Sequence, residues 1–396
     1  MADRKRFLRL TAIGMSGEVA GTTCEYSRWT APTTEVLRAM RILHLAKYYW
    51  PRSGGMERVV QTLAEGAANL GHQVEVVAVE SRGRAGVTAG HRSGVTRAFS
   101  FAALGSQEIA PGYIAAAWKR ADIIHVHHPH PLADLACLLR AGRTPVVVTQ
   151  HADSRRSAYR PLTRLVIRRA RAVVVPSRAH LALSSELTGY EGKVEVIPFG
   201  IDQTRWQSVP PPPPGGPPRA IFIGRLVPYK GLDFLLRALE QVPDLRLDIV
   251  GSGPEGPRLK TLARALAVTD RVRWYGEHPD DDLPRRMADA DFLVLPSVTV
   301  EEMFGLVVLE AMAAGRPVIT TAVPSAVREV NVPGVTGLEV PLRDVPALAR
   351  ALETLSRDAG RRRSMGEAGR TRVAERFTQH AMALRHIELY ERIRVS

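Results

Sequence analysis

Short runs of β-branched and other apolar residues recur along this chain, with stretches of helical spacing between them. Residues 42–46, 74–79, 123–126, 145–149, 172–175 and 194–197 read as strands, and 57–69 and 162–170 as helices. The pattern stops at Pro210 to Pro214, five consecutive prolines followed by Gly215, Gly216, Pro217 and Pro218. Such a run fits neither a helix nor an inner strand, so it reads as a stiff extended linker. The alternation then restarts, with strands at 220–223, 246–250, 272–275, 292–295 and 317–320. Helices follow at 232–240, 255–267 and 306–314, and helical stretches at 345–357 and 361–393 close the chain. Strands alternating with helices predict parallel sheets covered on both faces. Two doubly wound α/β halves facing across a cleft follow, with ligands outside the carboxyl ends of the strands.

At 396 residues and 45% hydrophobic, the chain is long enough for two buried cores, which excludes global disorder. Cys24 and Cys137 alone make neither a disulfide framework nor a cysteine zinc site. No apolar run is long enough to span a bilayer. Together these favour a cytoplasmic protein in a reducing compartment. Residues 1–39 carry no strand or helix period and make a poor signal peptide, so they read as a disordered extension before a first half at 40–208. The linker then covers 209–218 and the second half begins at 219.

Candidate chemistry clusters at the predicted strand ends. Gly224-Arg225 and Lys230-Gly231 flank a strand-to-helix turn and supply a planar fork and a point charge, which suits a diphosphate. Gly251, Gly253 and Gly256 match the dinucleotide fingerprint, but on the second strand of their half rather than the first. Gly305 can open a helix whose first amides, over 304–307, face the cleft. Glu302 precedes that helix, and Glu310 sits within it among apolar neighbours, so its carboxylate needs a partner or ligand hydroxyls. In the first half, Gly54 and Gly55 permit close backbone approach before a helix. His125, His127, His128 and His130 follow strand alternation into a proline loop, and no cysteine completes a metal set. His151 ends a strand facing the cleft and could donate to a sugar or phosphate.

In this order and spacing, the segments resemble family 4 glycosyltransferases of the GT-B fold, from Met40 to about Phe377. The resemblance implies a retaining enzyme that uses a nucleotide-sugar donor and needs neither a metal nor a cofactor. Arg225 and Lys230 would hold and stabilise the leaving diphosphate. Glu310 would accept the ribose hydroxyls, and Glu302 would contact the transferred sugar. The backbone of Phe304, Gly305 and Leu306 would hold that sugar. Gly54 and Gly55, with Gly224, Gly251 and Gly253, would line the donor site, and His151 would bond to the sugar or support positive charge at its anomeric carbon. A C-terminal helix within 377–396 would return from the second half, 219–376, to the first. Front-face displacement is the implied route to retention. Text such as Gly54-Gly55-Met56-Glu57-Arg58 resembles bacterial surface-polysaccharide mannosyltransferases. GDP-mannose is therefore favoured as donor and a UDP-hexose next, with a glycan or lipid-linked acceptor.

A nicotinamide-dependent oxidoreductase would use Gly251–Gly256 but leaves Arg225, Lys230, Glu302 and Glu310 without a purpose. A non-catalytic relative kept for assembly is disfavoured by the intact Arg225, Lys230 and Glu310. A nucleic-acid binder would suit the charge, 54 basic against 40 acidic residues, but no recognition motif accompanies it. That charge is uneven. Residues 40–208 hold 22 basic and 12 acidic residues, whereas 219–396 hold 26 and 24. Arg164, Arg168 and Arg169 lie in its densest part among Leu162, Leu165, Val166 and Ile167. This predicts a basic amphipathic helix that meets an anionic membrane or a phosphate-linked acceptor.

Overall fold

The computed structural model describes residues 38–50, 54–80, 93–104, 107–140, 142, 144–154 and 157–395. The expected extension, apart from Arg38 and Ala39, lies outside them.

Seven parallel strands form the first sheet, in the order Gly94–Phe99, Gln73–Glu80, Arg41–Leu45, Ile123–His128, Val146–Gln150, Ala172–Val175, Val194–Val196. The second has six, in the order Val272–Gly276, Arg246–Val250, Arg219–Ile223, Phe292–Leu295, Val318–Thr321, Gly337–Val340. Both orders reverse direction beside their first strand, the doubly wound arrangement of a Rossmann-like domain. Helices cover both faces, so central strands such as Val146–Gln150 and Phe292–Leu295 are buried throughout, and Val146–Val148 and Phe292–Leu295 read as unbroken apolar runs. Helix Leu232–Glu240 shows the matching helical logic. Leu232, Leu235, Leu236 and Leu239 recur at the spacing of one face, and all four are buried.

The strands that the pattern missed are sheet edges and a small hairpin. Gly94–Phe99 and Gly337–Val340 close one side of each sheet and mix polar with apolar positions. The hairpin Ala102–Leu104 with Gln107–Ile109 has only three residues per strand. The single helical stretch expected over 361–393 is two helices, Ala359–Arg376 and Gln379–Val395. A tertiary contact makes the break. The Ile201 amide donates to the Phe377 carbonyl at 2.9 Å, and the Gln379 amide donates to the Ile201 carbonyl at 2.8 Å. Helix Gln379–Val395 thereby crosses back and packs on helix Gly55–Asn69 of the first domain. Gly66 faces Ala383 there, leaving room for the two backbones to approach.

The proline linker is extended to Pro213 and then turns at 214–216, where Gly215 takes φ +82°. It is also anchored. The buried Arg316 guanidinium donates to the carbonyls of Pro210, Met287, Ala288 and Ala314. Burial and the neighbouring Arg370 push the Arg316 pKa down to about 10.

Candidate functional site

The carboxyl ends of the two sheets enclose a cavity of about 610 Å³. Its walls come from both domains: Gly54, Gly55, Arg58, His151 and Phe199 on one side, and Gly224, Arg225, Lys230, Gly251, Gly253, Glu302, Phe304, Gly305, Leu306 and Glu310 on the other. All thirteen residues expected to contact or activate a donor therefore line one cavity.

Local structure explains how each is held. Lys230 ends a single 3₁₀ turn, Pro228–Lys230, and Gly231 follows at φ +67°. The Lys230 side chain is nearly buried, and its Nζ lies 2.6 Å from Glu302 Oε2. Ser297 Oγ donates to the same carboxylate oxygen at 2.7 Å. The two charges therefore neutralise each other when the cavity is empty. Arg225 is exposed in the cavity and forms no ion pair among the described residues.

Gly305 takes φ +71° and begins helix Leu306–Ala313. The residues at the helix's amino end, Gly305, Leu306 and Val307, line the cavity, where the dipole favours negative charge and hydroxyl acceptors. That helix is apolar except for Glu310, which is 2% exposed. Its carboxylate is matched by Arg58, which also reaches Asp280 at 2.6 Å. Arg58 lies in the first turn of helix Gly55–Asn69, so this pairing joins the two domains across the cavity.

Gly251 and Gly253 have a packing reason for being glycine. Gly251 sits at φ +136°, and a Cβ there would overlap the Gly224 carbonyl. A Cβ on Gly253 would overlap the Leu226 carbonyl. The fingerprint spacing thus comes from two neighbouring strand-end loops lying against each other.

His151 stacks on Phe199 with ring centres 5.2 Å apart, and Phe199 contacts Phe304 at 5.0 Å. His151 is buried on its inner side, where its Nε2 lies 3.1 Å from His127 Nδ1. Burial, together with His180 and His128, pushes its pKa down to about 3, so the ring is neutral at ordinary pH. Among the described residues, His44, His125 and His127 are close enough to share an ion. Five of their six ring nitrogens, however, already have protein partners, leaving only His44 Nε2.

The arginines expected at a membrane or acceptor divide. Arg164 and Arg168 are exposed on helix Arg160–Arg169. Arg169 is half-buried and donates to the carbonyls of Arg140 and Gly142 at 3.0 and 3.2 Å. Exposed Leu135, Leu139 and Leu165 accompany this region, on the two packed helices Pro131–Leu139 and Arg160–Arg169. No helix among the described residues is long and apolar enough to cross a membrane.

Sequence reading missed Arg58, Asp280, Ser297 and Phe199 as site residues. Arg58 sits three residues beyond Gly55, in a segment already singled out, but its partner Glu310 is 252 positions away.

Two facing Rossmann-like domains with a returning C-terminal helix and a charged cleft define a GT-B glycosyltransferase. Residues 53–205 match the family profile described as Glycosyltransferase Family 4, and residues 205–372 match Glycosyl transferases group 1. The chain belongs to this glycosyltransferase family. It is 30% identical to the D-rhamnosyltransferase WbpZ of Pseudomonas aeruginosa, over 86% of this chain and 92% of that one. It is 29% identical to the O-antigen chain mannosyltransferase C of Escherichia coli, over 89% and 98%. Among solved structures, sucrose-phosphate synthase from Thermosynechococcus elongatus superposes with a TM-score of 0.76 at 24% identity, covering 90% of this chain and 99% of that one.

Proposed function

We propose that this enzyme transfers a hexose, with retention, from a nucleotide-sugar donor to a glycan or lipid-linked acceptor. GDP-mannose is the favoured donor and a UDP-hexose the next. The carrying observation is the convergence of Arg225, Lys230, Glu302, Glu310 and the amide end at Gly305 in one cavity, with His151 opposite. Names of the similar chains, a D-rhamnosyltransferase and an O-antigen mannosyltransferase, support a mannose-type sugar and a surface polysaccharide as product.

In this reading Glu310 accepts the ribose hydroxyls after releasing Arg58. Arg225 and Lys230 hold the diphosphate. The first amides of helix Leu306–Ala313 and the Glu302 carboxylate hold the sugar. The bond from the anomeric carbon to the β-phosphate oxygen breaks, and its electron pair stays on that oxygen. Arg225, Lys230 and the helix dipole stabilise this charge without a metal ion. The acceptor hydroxyl bonds to the same face of the anomeric carbon and passes its proton to the departing phosphate oxygen. His151, neutral and opposite these groups, bonds to the sugar or supports the charge that develops at its anomeric carbon. The basic helix bearing Arg164 and Arg168 holds an anionic membrane surface or a phosphate-linked acceptor, worth about 1 kcal/mol per arginine at low salt.

Incubation with a panel of labelled donors, followed by product analysis, tests the reading. Transfer from GDP-mannose with retention, unaffected by a chelator, is expected. Inversion, or a strict metal requirement, overturns the mechanism; exclusive use of another sugar overturns the donor assignment.

A further inference from the structure

Strand register lines up a row of imidazoles behind the cleft. His125 and His127 alternate to one face of their strand. His44 is the register partner of His125, and Thr149 that of His127, which places His151 two residues further along the same face. The rings touch in sequence. His44 Nδ1 is 3.0 Å from His127 Nε2, and His127 Nδ1 is 3.1 Å from His151 Nε2. His44 and His127 are completely buried. Their row runs from the middle of the first sheet to the donor cavity.

Burial pushes His44 down to about 3 and His127 well below its usual value, so all three rings are neutral at working pH. A neutral imidazole has one N–H and one bare nitrogen. Each link therefore uses one donor and one acceptor, and every ring must point the same way. Only two arrangements exist. Either each Nδ1 carries the proton, or each Nε2 does.

The inner end of the row decides between them. His44 Nε2 is buried with no hydrogen-bond partner. The nearby His386 offers none either: its Nδ1 lies 2.8 Å from the Met382 carbonyl, an acceptor only, and its Nε2 forms no hydrogen bond with His44. A proton on His44 Nε2 would be a buried N–H without an acceptor. Such orphan donors are rarer in folded proteins than unused acceptors. The row therefore settles with His44 Nε2 bare.

We infer that His44 and His127 are positioning residues, forming a hydrogen-bonded relay that fixes His151 as its Nδ1–H tautomer and so presents a donor, not a base, to the cavity. His151 Nδ1 is the outward ring nitrogen, as it takes no hydrogen bond among the described residues and is not among the buried unpartnered atoms. Resting on the reading that His151 meets the donor sugar, this assigns it to hydrogen-bonding a sugar oxygen. It also bars His151 from taking the acceptor's proton, since its only bare nitrogen faces His127. His125 lies outside the relay, with its two nitrogens 2.5 Å from Tyr390 Oη and 2.7 Å from Thr149 Oγ1.

The test is ¹⁵N NMR of the full chain labelled at histidine, with and without GDP-mannose or UDP-glucose. A protonated-type Nδ1 and a bare-type Nε2 on His151 are expected before donor is added. The reverse pattern, or rapid averaging between the two, overturns the relay. If the expected pattern is found but neither donor shifts the His151 signals, the relay stands and the contact with the sugar fails instead. Kinetics supply a second readout. His44→Asn keeps an amide N–H where Nδ1–H stood and should retain kcat and the His151 tautomer. His44→Asp places a carboxylate acceptor where Nδ1–H stood, so His127 must donate from Nε2 and the row reverses, which should lower kcat about tenfold with little change in donor KM, as for loss of one hydrogen bond. Equal kcat and an unchanged His151 spectrum in a folded His44→Asp protein would also overturn the relay.

Discussion

Lys230 and Glu302 allow structural and catalytic roles to be separated. Their side chains are about one-tenth exposed, and Ser297 is the other donor to the carboxylate. Lys230→Met removes the cation and leaves Glu302 buried with one neutral hydrogen bond. Breaking a buried pair in this way costs about 3–5 kcal/mol. In a domain of this size that lowers Tm by roughly 10 °C. Replacing both groups, as in Lys230→Met with Glu302→Gln, removes the unpaired charge and should recover most of the lost stability. Activity should not recover. The departing diphosphate has lost a fixed cation, which is worth about 10²–10³ in kcat. Calorimetric unfolding and initial transfer rates on the two single variants and the double variant make a complete cycle. A double variant that regains both Tm and turnover would show that Lys230 matters only as a partner for Glu302, and the leaving-group assignment would fall.

Glu310→Ala should cut nucleoside diphosphate affinity at least tenfold by calorimetry, since the ribose loses a charged acceptor; unchanged affinity would remove Glu310 from the donor site. Five buried histidines should make the protein acid-sensitive. His44, His130 and His151 are pushed by burial to about 3, and His180 and His386 to about 4, below the usual 6.5. The unfolded chain therefore binds more protons between pH 6.5 and those values, so stability is full above 6.5 and falls with acidification, by up to about 1.4 kcal/mol per pH unit for each ring. His128 opposes this in part: burial lowers its pKa, but Asp134, Glu186 and Gln150 together outweigh burial and raise it. Urea midpoints at pH 7.5, 6 and 5 check the slope, and a flat profile contradicts the burial of these rings. Reversing Arg164 and Arg168 to glutamate should abolish salt-sensitive sedimentation with anionic liposomes while sparing donor binding, and wild-type protein that ignores anionic vesicles at low salt would exclude the membrane surface.

Much of this architecture is local and therefore legible in sequence. Val146–Val148 and Phe292–Leu295 announce themselves as apolar runs because both faces are buried. Glycines, Arg225, Lys230 and Glu302 fall at strand-to-helix turns, and Glu310 one turn into the helix that follows, all of which parallel topology carries to the same edge of a sheet. Edge strand Gly94–Phe99 escaped because it has one partner and a half-exposed, mixed pattern. The residue pattern alone runs on through Phe377-Thr378, where only the family resemblance set off a last helix, because the break is made by Ile201, far off in sequence, which intercepts the helix hydrogen bonds. Pairing across the cleft was equally hidden. Arg58 meets Glu310 only once two domains face each other, and nothing in either segment encodes the other's position. The histidine row is the sharpest case. Alternation put His125 and His127 on one face, but only the pairing order of three strands set His44 and His151 at either end. Sequence determined which side chains could carry charge or protons and at which strand ends. Tertiary structure decided which of them meet, because strand register and domain facing arise from packing between segments that lie tens to hundreds of residues apart.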